Sequence, residues 1–246
     1  MNIGRKIAKH YVRLMSKLGW SKPQDFFQIP IIINNFNRLT MLQKLVDGLN
    51  ERGYKNIWII DNCSTYPPLL EWMDKCSKQY HIVRLNCNVG HLSLFKTGLY
   101  KQFWHDYYIY TDSDISLPDN VPASIIEQLW AVMQQFPQME KCGCALHIDD
   151  LPDCFANKLK VIEWESQYWN SEIAENVYKG SVDTTFALYH PLIIPYQSEN
   201  VNCRVAGNLT LRHEPWYVDS SSLSEEEKYY ILHCKTSTHW TNQQQL

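Results

Sequence analysis

The sequence predicts an α/β fold, a single domain with a Rossmann-like central mixed sheet flanked by helices. Three observations carry that expectation. From Pro30 onward, short apolar runs alternate with longer stretches of helical periodicity, the pattern of βαβ units. Polar residues recur where the apolar runs end, as they do when a ligand crevice lies beyond the carboxyl ends of parallel strands. The chain has 246 residues, 45% of them hydrophobic, which is enough to bury one sizeable core.

The first 22 residues contain Arg5, Lys6, Lys9, Arg13, Lys17 and Lys22 and no acid, although the whole chain carries a formal charge of -3. Ile7, Tyr11, Leu14 and Leu18 recur at helical spacing beside these cations, so residues 1–24 read as a basic amphipathic segment. Such a segment could rest on an anionic membrane surface or pack against its own domain. Its apolar residues form neither a secretory h-region nor a bilayer span. The overall charge argues against general nucleic-acid binding, which needs cations to neutralise phosphates.

The first strand is expected over Ile29–Asn34. Thr40 can cap a helix running to about Arg52, with Leu42, Leu45, Val46 and Leu49 inward and Gly53 as its stop. Ile57–Ile60 delivers Asp61, and Ser64 or Thr65 can start the next helix through Leu69, Leu70 and Met73. Ile82–Leu85 returns as a third strand, and Gly90 follows in a loop. Leu92–Phe103 reads as a helix. Tyr107–Thr111 reads as a buried strand ending at Asp112-Ser113-Asp114.

Beyond it come a helix near Pro122–Phe136, a strand near Gly143–Ile148, a helical stretch Lys158–Ala174 and a strand Thr184–Tyr189. Trp164, Tyr168 and Trp169 could stack on a sugar, but they also fit the core-facing side of that helix, the reading preferred here. Ser224 followed by Glu227 is a capping-box pattern for a C-terminal helix. Eight cysteines are scattered without framework spacing, which fits a reduced, cytoplasmic compartment. Cys142 and Cys144 lie in Cys-Gly-Cys-Ala-Leu and read as a buried strand of small residues rather than a zinc site.

Asp112 and Asp114 stand two residues apart where an apolar strand ends, and Leu117-Pro118-Asp119 closes the turn. Hard carboxylate oxygens suit Mg2+ or Mn2+, and such an ion could offset charge on a departing diphosphate. A solvated turn gives the same triplet. Three stretches precede it in order. They are Pro30-Ile-Ile-Ile-Asn-Asn-Phe-Asn-Arg38, Ile59-Ile-Asp-Asn-Cys-Ser-Thr65 and Leu85-Asn-Cys-Asn-Val-Gly90.

This succession resembles the nucleotide-binding half of GT-A glycosyltransferases, in particular the family 2-like enzymes of bacterial polysaccharide and lipopolysaccharide synthesis. The resemblance implies a GT-A domain over about 25–240, with a nucleotide-binding half near 29–118, an acceptor half near 119–220 and a frayed tail at 241–246. It implies transfer of a sugar from a nucleotide-sugar donor, UDP-linked by the same resemblance, to a glycan or lipid-linked acceptor. Asn35, Asn37, Arg38, Asp61 and Asn62 would then face base and ribose. Asn88, Gly90 and His91, with Asp112 and Ser113, would line the nucleotide-sugar pocket.

Arg204–Tyr217 looks like a C-terminal motif of a bacterial subgroup in which a histidine completes the metal shell, so Asp112, Asp114 and His213 are the expected ligands of Mn2+ or Mg2+. Gly180–Tyr189 resembles the segment that brings an acid to the acceptor side. In an inverting transfer Asp183 would take the acceptor proton. Its rivals are Asp149 and Asp150, in His147-Ile-Asp-Asp-Leu-Pro-Asp153, a stretch that could instead hold the acceptor or donor sugar, and either group could be no more than a capping acid before a helix. Localisation on this reading is cytoplasmic, with peripheral contact at the inner face of the membrane through the basic segment. Two other readings stand beside it. One is a catalytically silent carbohydrate- or nucleotide-binding protein of the same fold. The other is a sugar nucleotidyltransferase, disfavoured because Asn34-Asn-Phe-Asn37 stands where a glycine-rich phosphate loop is needed.

Overall fold

The computed structural model describes residues 22–183, 185–192 and 202–234, with His10 and Leu14. Most of the basic segment lies outside the described residues, namely Arg5, Lys6, Ile7, Lys9, Tyr11, Arg13, Lys17 and Leu18, as do Thr184 and residues 241–246. Strands β1 (Ile31–Asn35), β2 (Ile57–Asp61), β3 (His81–Arg84) and β4 (Tyr108–Asp112) are parallel neighbours in the order β3-β2-β1-β4. Strand β1 is buried along its whole length, which explains its unbroken Ile31-Ile32-Ile33 run.

The sheet continues through shorter strands: β6 (Lys141–Cys144), β7 (Glu172–Ala174), β8 (Val177–Lys179), β9 (Ala187–Tyr189) and β10 (Asn202–Val205). Among the described residues nine strands make one sheet, ordered β3-β2-β1-β4-β9-β6-β10-β8-β7. Strand β9 runs antiparallel between β4 and β6, so the residues just before it reach the carboxyl edge of both neighbours. A separate two-stranded sheet joins β5 (Ile115–Ser116) to β11 (Arg212–His213).

Helices α1 (Thr40–Glu51) and α4 (Ile125–Gln135) bury the apolar stripes that their spacing predicts. The stripe on α1 is Met41, Leu42, Leu45, Val46 and Leu49, and that on α4 is Ile125, Ile126, Leu129 and Met133. Helix α2 (Pro67–Cys76) starts at a proline, where the missing N–H is one of the unpaired donors of a helix start. Thr40 does not cap α1. Its N–H and hydroxyl, with the N–H of Leu39, donate to the carboxylate of Glu226 in α6 (Glu225–His233).

The predicted helix Leu92–Phe103 is two short pieces, α3 (Ser93–Lys96) and a 3-10 turn Leu99–Gln102, because Gly98 adopts φ 79° between them. The predicted helix Lys158–Ala174 stops at Ser166 as α5 (Lys158–Ser166), and its last residues become β7. Asn176, at φ 58°, makes the turn into β8. Trp164, within α5, is 50% exposed rather than in the core. The strand expected near Gly143–Ile148 sits earlier, at Lys141–Cys144, with Leu146 bridged separately to Leu211. Both Cys142 and Cys144 are buried within it. No helix among the described residues is long and apolar enough to cross a membrane.

Candidate active site

The carboxyl ends of β1, β2 and β4 meet at one edge. Register pairs Asn35 with Asp61 and Asn34 with Asp112. Asn35 is fully buried, and neither polar atom of its amide has a partner among the described residues. Burying an unpartnered polar group costs on the order of 1–3 kcal/mol, so this amide has hydrogen-bonding capacity to spare for a further partner. Asp61 accepts from the Ser64 N–H at 3.1 Å, and Ser64 Oγ accepts from the Asn37 N–H at 2.9 Å. The Asn37 carbonyl oxygen accepts from Thr65 and Tyr66 N–H at 2.7 and 3.0 Å, leaving its buried Nδ2 unpartnered among the described residues.

Asn62 organises the next loop. Its Nδ2 donates to Gly90 O at 3.0 Å and its Oδ1 accepts from Val89 N–H at 2.9 Å. Asn88 and His91 are exposed on that loop, and Gly90 adopts φ 84° there. Arg38 takes a different position from the open crevice that the resemblance implies. It is 3% exposed, ion-paired with Glu227, and its Cζ lies 3.7 Å from the Tyr230 ring centre.

Asp112 accepts from Asn34 Nδ2 at 2.9 Å, and Asn34 Oδ1 in turn accepts from Ser93 Oγ at 2.7 Å. Tyr110 lies 3.2 Å from that hydroxyl and donates to His91 O at 2.6 Å. Burial first, then the Asp112 charge, push the Tyr110 phenol well up, so it is a neutral donor. Asn34 and Ser93 are supporting residues that sequence reasoning missed. The signal for Asn34 was its register opposite Asp112.

The β5–β11 pair brings Asp114 and His213 together, with Glu214 N–H donating to Asp114 O at 2.8 Å. His213 Nε2 lies 3.4 Å from Asp114 Oδ2, with the side chains 18% and 21% exposed. Burial alone would raise the Asp114 carboxyl, but the neighbouring His213 and the Arg38 charge outweigh it and hold it below the usual range. An ionised carboxylate and an imidazole nitrogen at this spacing fit a divalent cation of the Mn2+ or Mg2+ type. Ser113 is buried beneath the turn. Among the described residues, the group of three His, Cys, Asp or Glu with all ligand atoms within 4.8 Å is His147, Asp149 and Asp150, so Asp112 does not close on Asp114 and His213 to that spacing.

The two candidate bases have different surroundings. Asp150 accepts from Arg212 Nη2 at 2.5 Å and from the Tyr217 hydroxyl. Burial opposes its ionisation, but these two partners hold its carboxyl below the usual range, which makes it a weak proton acceptor. Asp183 is exposed, on the segment that precedes β9. That segment is held by Lys141 Nζ on Asp183 O at 3.1 Å and by Arg204 Nε on Ser181 O at 2.7 Å.

The model of the family described as glycosyl transferase family 2 matches residues 31–183. None of the curated proteins matches the sequence. Among solved structures, S. aureus TarS 1-349 shares 11% identity over 85% of this chain and 67% of that one, with TM-score 0.47. GalNAc-T7 with UDP, GalNAc and Mn2+ shares 11% over 78% and 44%, with TM-score 0.47. A cytidylyltransferase from Leptospira borgpetersenii shares 11% over 66% and 60%, with TM-score 0.37. The chain spans 24% of the length of a further TarS structure. With the mixed sheet flanked by helices and a family match over most of its length, the chain belongs to glycosyl transferase family 2.

Proposed function

We propose that the chain transfers a sugar from a nucleotide-sugar donor, UDP-linked, to a glycan or lipid-linked acceptor of bacterial surface polysaccharide or lipopolysaccharide synthesis. The observation that carries the reading is an unpartnered buried amide at Asn35 beside the Asp61 carboxylate at the ends of β1 and β2, together with the Asp114–His213 pair at the turn that follows β4. Asn35, Asn37 and Asp61 offer the donors and acceptors that a base and ribose need. Asn88, Gly90 and His91 line the sugar side of the pocket.

Asp114 and His213 would hold Mn2+ or Mg2+, with Asp112 and Ser113 beside them. Such an ion supplies charge compensation for the departing diphosphate, an effect of several kcal/mol in the transition state. In a transfer that inverts the anomeric centre, Asp183 takes the proton of the attacking acceptor hydroxyl. Asp150 orients Arg212 beside the metal pair. The reaction site is cytoplasmic, with the basic N-terminal segment lying against the inner face of the membrane.

Thermal melting with UDP-sugars, with Mn2+ and with chelator tests this reading, because a ligand that binds only the folded chain raises its midpoint. The expected result is a Mn2+-dependent rise with a UDP-sugar, slow release of UDP, and loss of the metal-dependent part in Asp114→Ala. A rise that survives unchanged in Asp114→Ala defeats the metal assignment. Ligand stabilisation with no UDP release, even with acceptor extracts, would make the chain a binding protein.

A further inference from the structure

Helix α6 lies outside the family-matched residues 31–183, yet it grips both loops that carry the base-facing residues. Its contacts fall at three points. Glu226 receives the N–H groups of Leu39 and Thr40 at 3.0 Å, acting as the N-cap that α1 lacks within its own sequence. Glu227 pairs with Arg38, whose guanidinium also stacks on Tyr230, and Tyr230 packs on Phe36 with ring centres 6.2 Å apart. Tyr229 donates to Thr65 O at 2.9 Å and packs on Tyr66 at 5.0 Å. Phe36–Thr40 leads from β1 into α1, and Thr65–Tyr66 leads from β2 into α2. Asn37 stitches the two loops together through its carbonyl oxygen.

Glu226 and Glu227 are buried although they stand in an acidic run, Glu225-Glu226-Glu227, that would ordinarily be a solvated face. Both carboxylates have specific partners across the fold. Ser224 caps α6 by accepting from the Glu227 N–H at 3.1 Å, while the Glu227 side chain turns to Arg38 instead of back to its own helix start.

We propose that α6 is a positioning element of the donor site: through Glu226, Glu227, Tyr229 and Tyr230 it fixes the two loops that present Asn35, Asn37 and Asp61 to the nucleoside of the donor. The proposal rests on the nucleotide-sugar reading of the same edge. Arg38 acts through this clamp, because it is buried against Glu227 and Tyr230. Loops fixed in advance lose less conformational freedom when a ligand binds, so loosening them weakens nucleotide binding before it slows bond breaking.

The experiment is calorimetric titration of UDP with Mn2+ into the full chain, together with steady-state donor hydrolysis and melting without ligand. Glu227→Gln is expected to weaken UDP binding and raise the donor KM by about tenfold while kcat stays within about twofold, and Glu227→Asp to recover most of the loss. Tyr229→Phe removes one hydroxyl and keeps the ring contact with Tyr66, so about threefold weaker UDP binding is expected with an unchanged melting point. Wild-type affinity in both variants overturns the proposal, as does a fall in kcat as large as the rise in KM. If Glu227→Gln does not fold, Tyr229→Phe decides alone: weaker binding supports the clamp and unchanged binding refutes it. A wild-type chain that binds no UDP overturns the donor reading itself. A wild type that binds UDP while the variants bind equally well overturns only the role of α6.

Discussion

Gly143→Ala tests whether the segment bearing Asp183 is seated by the sheet beneath it. Gly143 lies in β6, opposite Ala187 of β9, and Val182 packs across it. A Cβ at this position would stand 2.5 Å from Val182 Cγ1 and 3.2 Å from Ala187 Cβ. Carbon atoms rest about 3.5–4.0 Å apart, so one partner must retreat by roughly 1 Å. Ala187 cannot give, because its strand is paired on both sides. Val182 is buried and its neighbours in sequence are tied down by Arg204 on Ser181 O and Lys141 on Asp183 O.

Overpacking of this kind costs about 1–3 kcal/mol, or a melting point lower by roughly 2–10 °C for a chain of this size. If Asp183 is the base proposed above, a displacement of about 1 Å is expected to lower turnover by up to about a hundredfold. UDP binding should stay unchanged, because Asn35 and Asp61 sit on the far side of β4. Val182→Ala in the same chain removes the clashing methyl groups and should restore most of the turnover. Unchanged melting and turnover in Gly143→Ala, or no rescue by the second substitution, would refute the seating argument.

Three further outcomes follow from buried groups. His190 is fully buried with neither ring nitrogen partnered among the described residues, and burial pushes its pKa down from 6.5 to about 4. Between those values the unfolded chain binds a proton that the folded chain does not, so stability falls as pH drops through that window, by about 3 kcal/mol in all. In His190→Leu that part of the acid dependence should vanish, as read by urea denaturation at several pH values; identical slopes for the two proteins would contradict it. Glu165→Gln strands the Arg204 cation, now 2.5 Å from Glu165 with both side chains buried, and should lower stability by about 3–5 kcal/mol. Replacing both residues by Met should recover most of it, and a double variant no better than the single one argues against stranded charge as the cause. Asn34→Ala removes the donor that orients Asp112, and Mn2+ affinity measured by paramagnetic resonance should fall by about tenfold if Asp112 takes part in metal binding. Wild-type affinity would separate Asn34 from the metal site.

What the sequence discloses about the site depends on how its residues are brought together. Asn35 and Asp61 end neighbouring parallel strands, so locating two apolar runs was enough to place them side by side. The pairing of Asp114 with His213 needs two strands of two residues each, far apart in the chain, and no periodicity marks such strands. Only the family resemblance pointed to it. The break at Gly98 escaped a reading by periodicity because apolar residues on both sides of it, Phe95, Leu99, Tyr100 and Phe103, pack partly buried against the same cluster as Leu94. The expected helix Lys158–Ala174 ran too far because no glycine or proline interrupts it, and the turn residue Asn176, with its left-handed backbone, comes only after its end. The acidic run in α6 misleads for a different reason, since burial of Glu226 and Glu227 depends on partners nearly the whole chain away.

The same long-range dependence shows that residues 31–183 do not complete the sheet by themselves. Strand β6 meets β4 only through β9, and β8 meets β6 only through β10. Both bridging strands follow residue 183. Without them the edge that carries Asp61 and Asp112 would be separated from the strands that seat Asp183. The later residues also supply the direct partners of the earlier ones: His213 for Asp114, Arg212 and Tyr217 for Asp150, Glu227 for Arg38. The residues that end β1, β2 and β4 therefore come early in the chain, whereas the contacts that position them come late, from strands and a helix beyond residue 183.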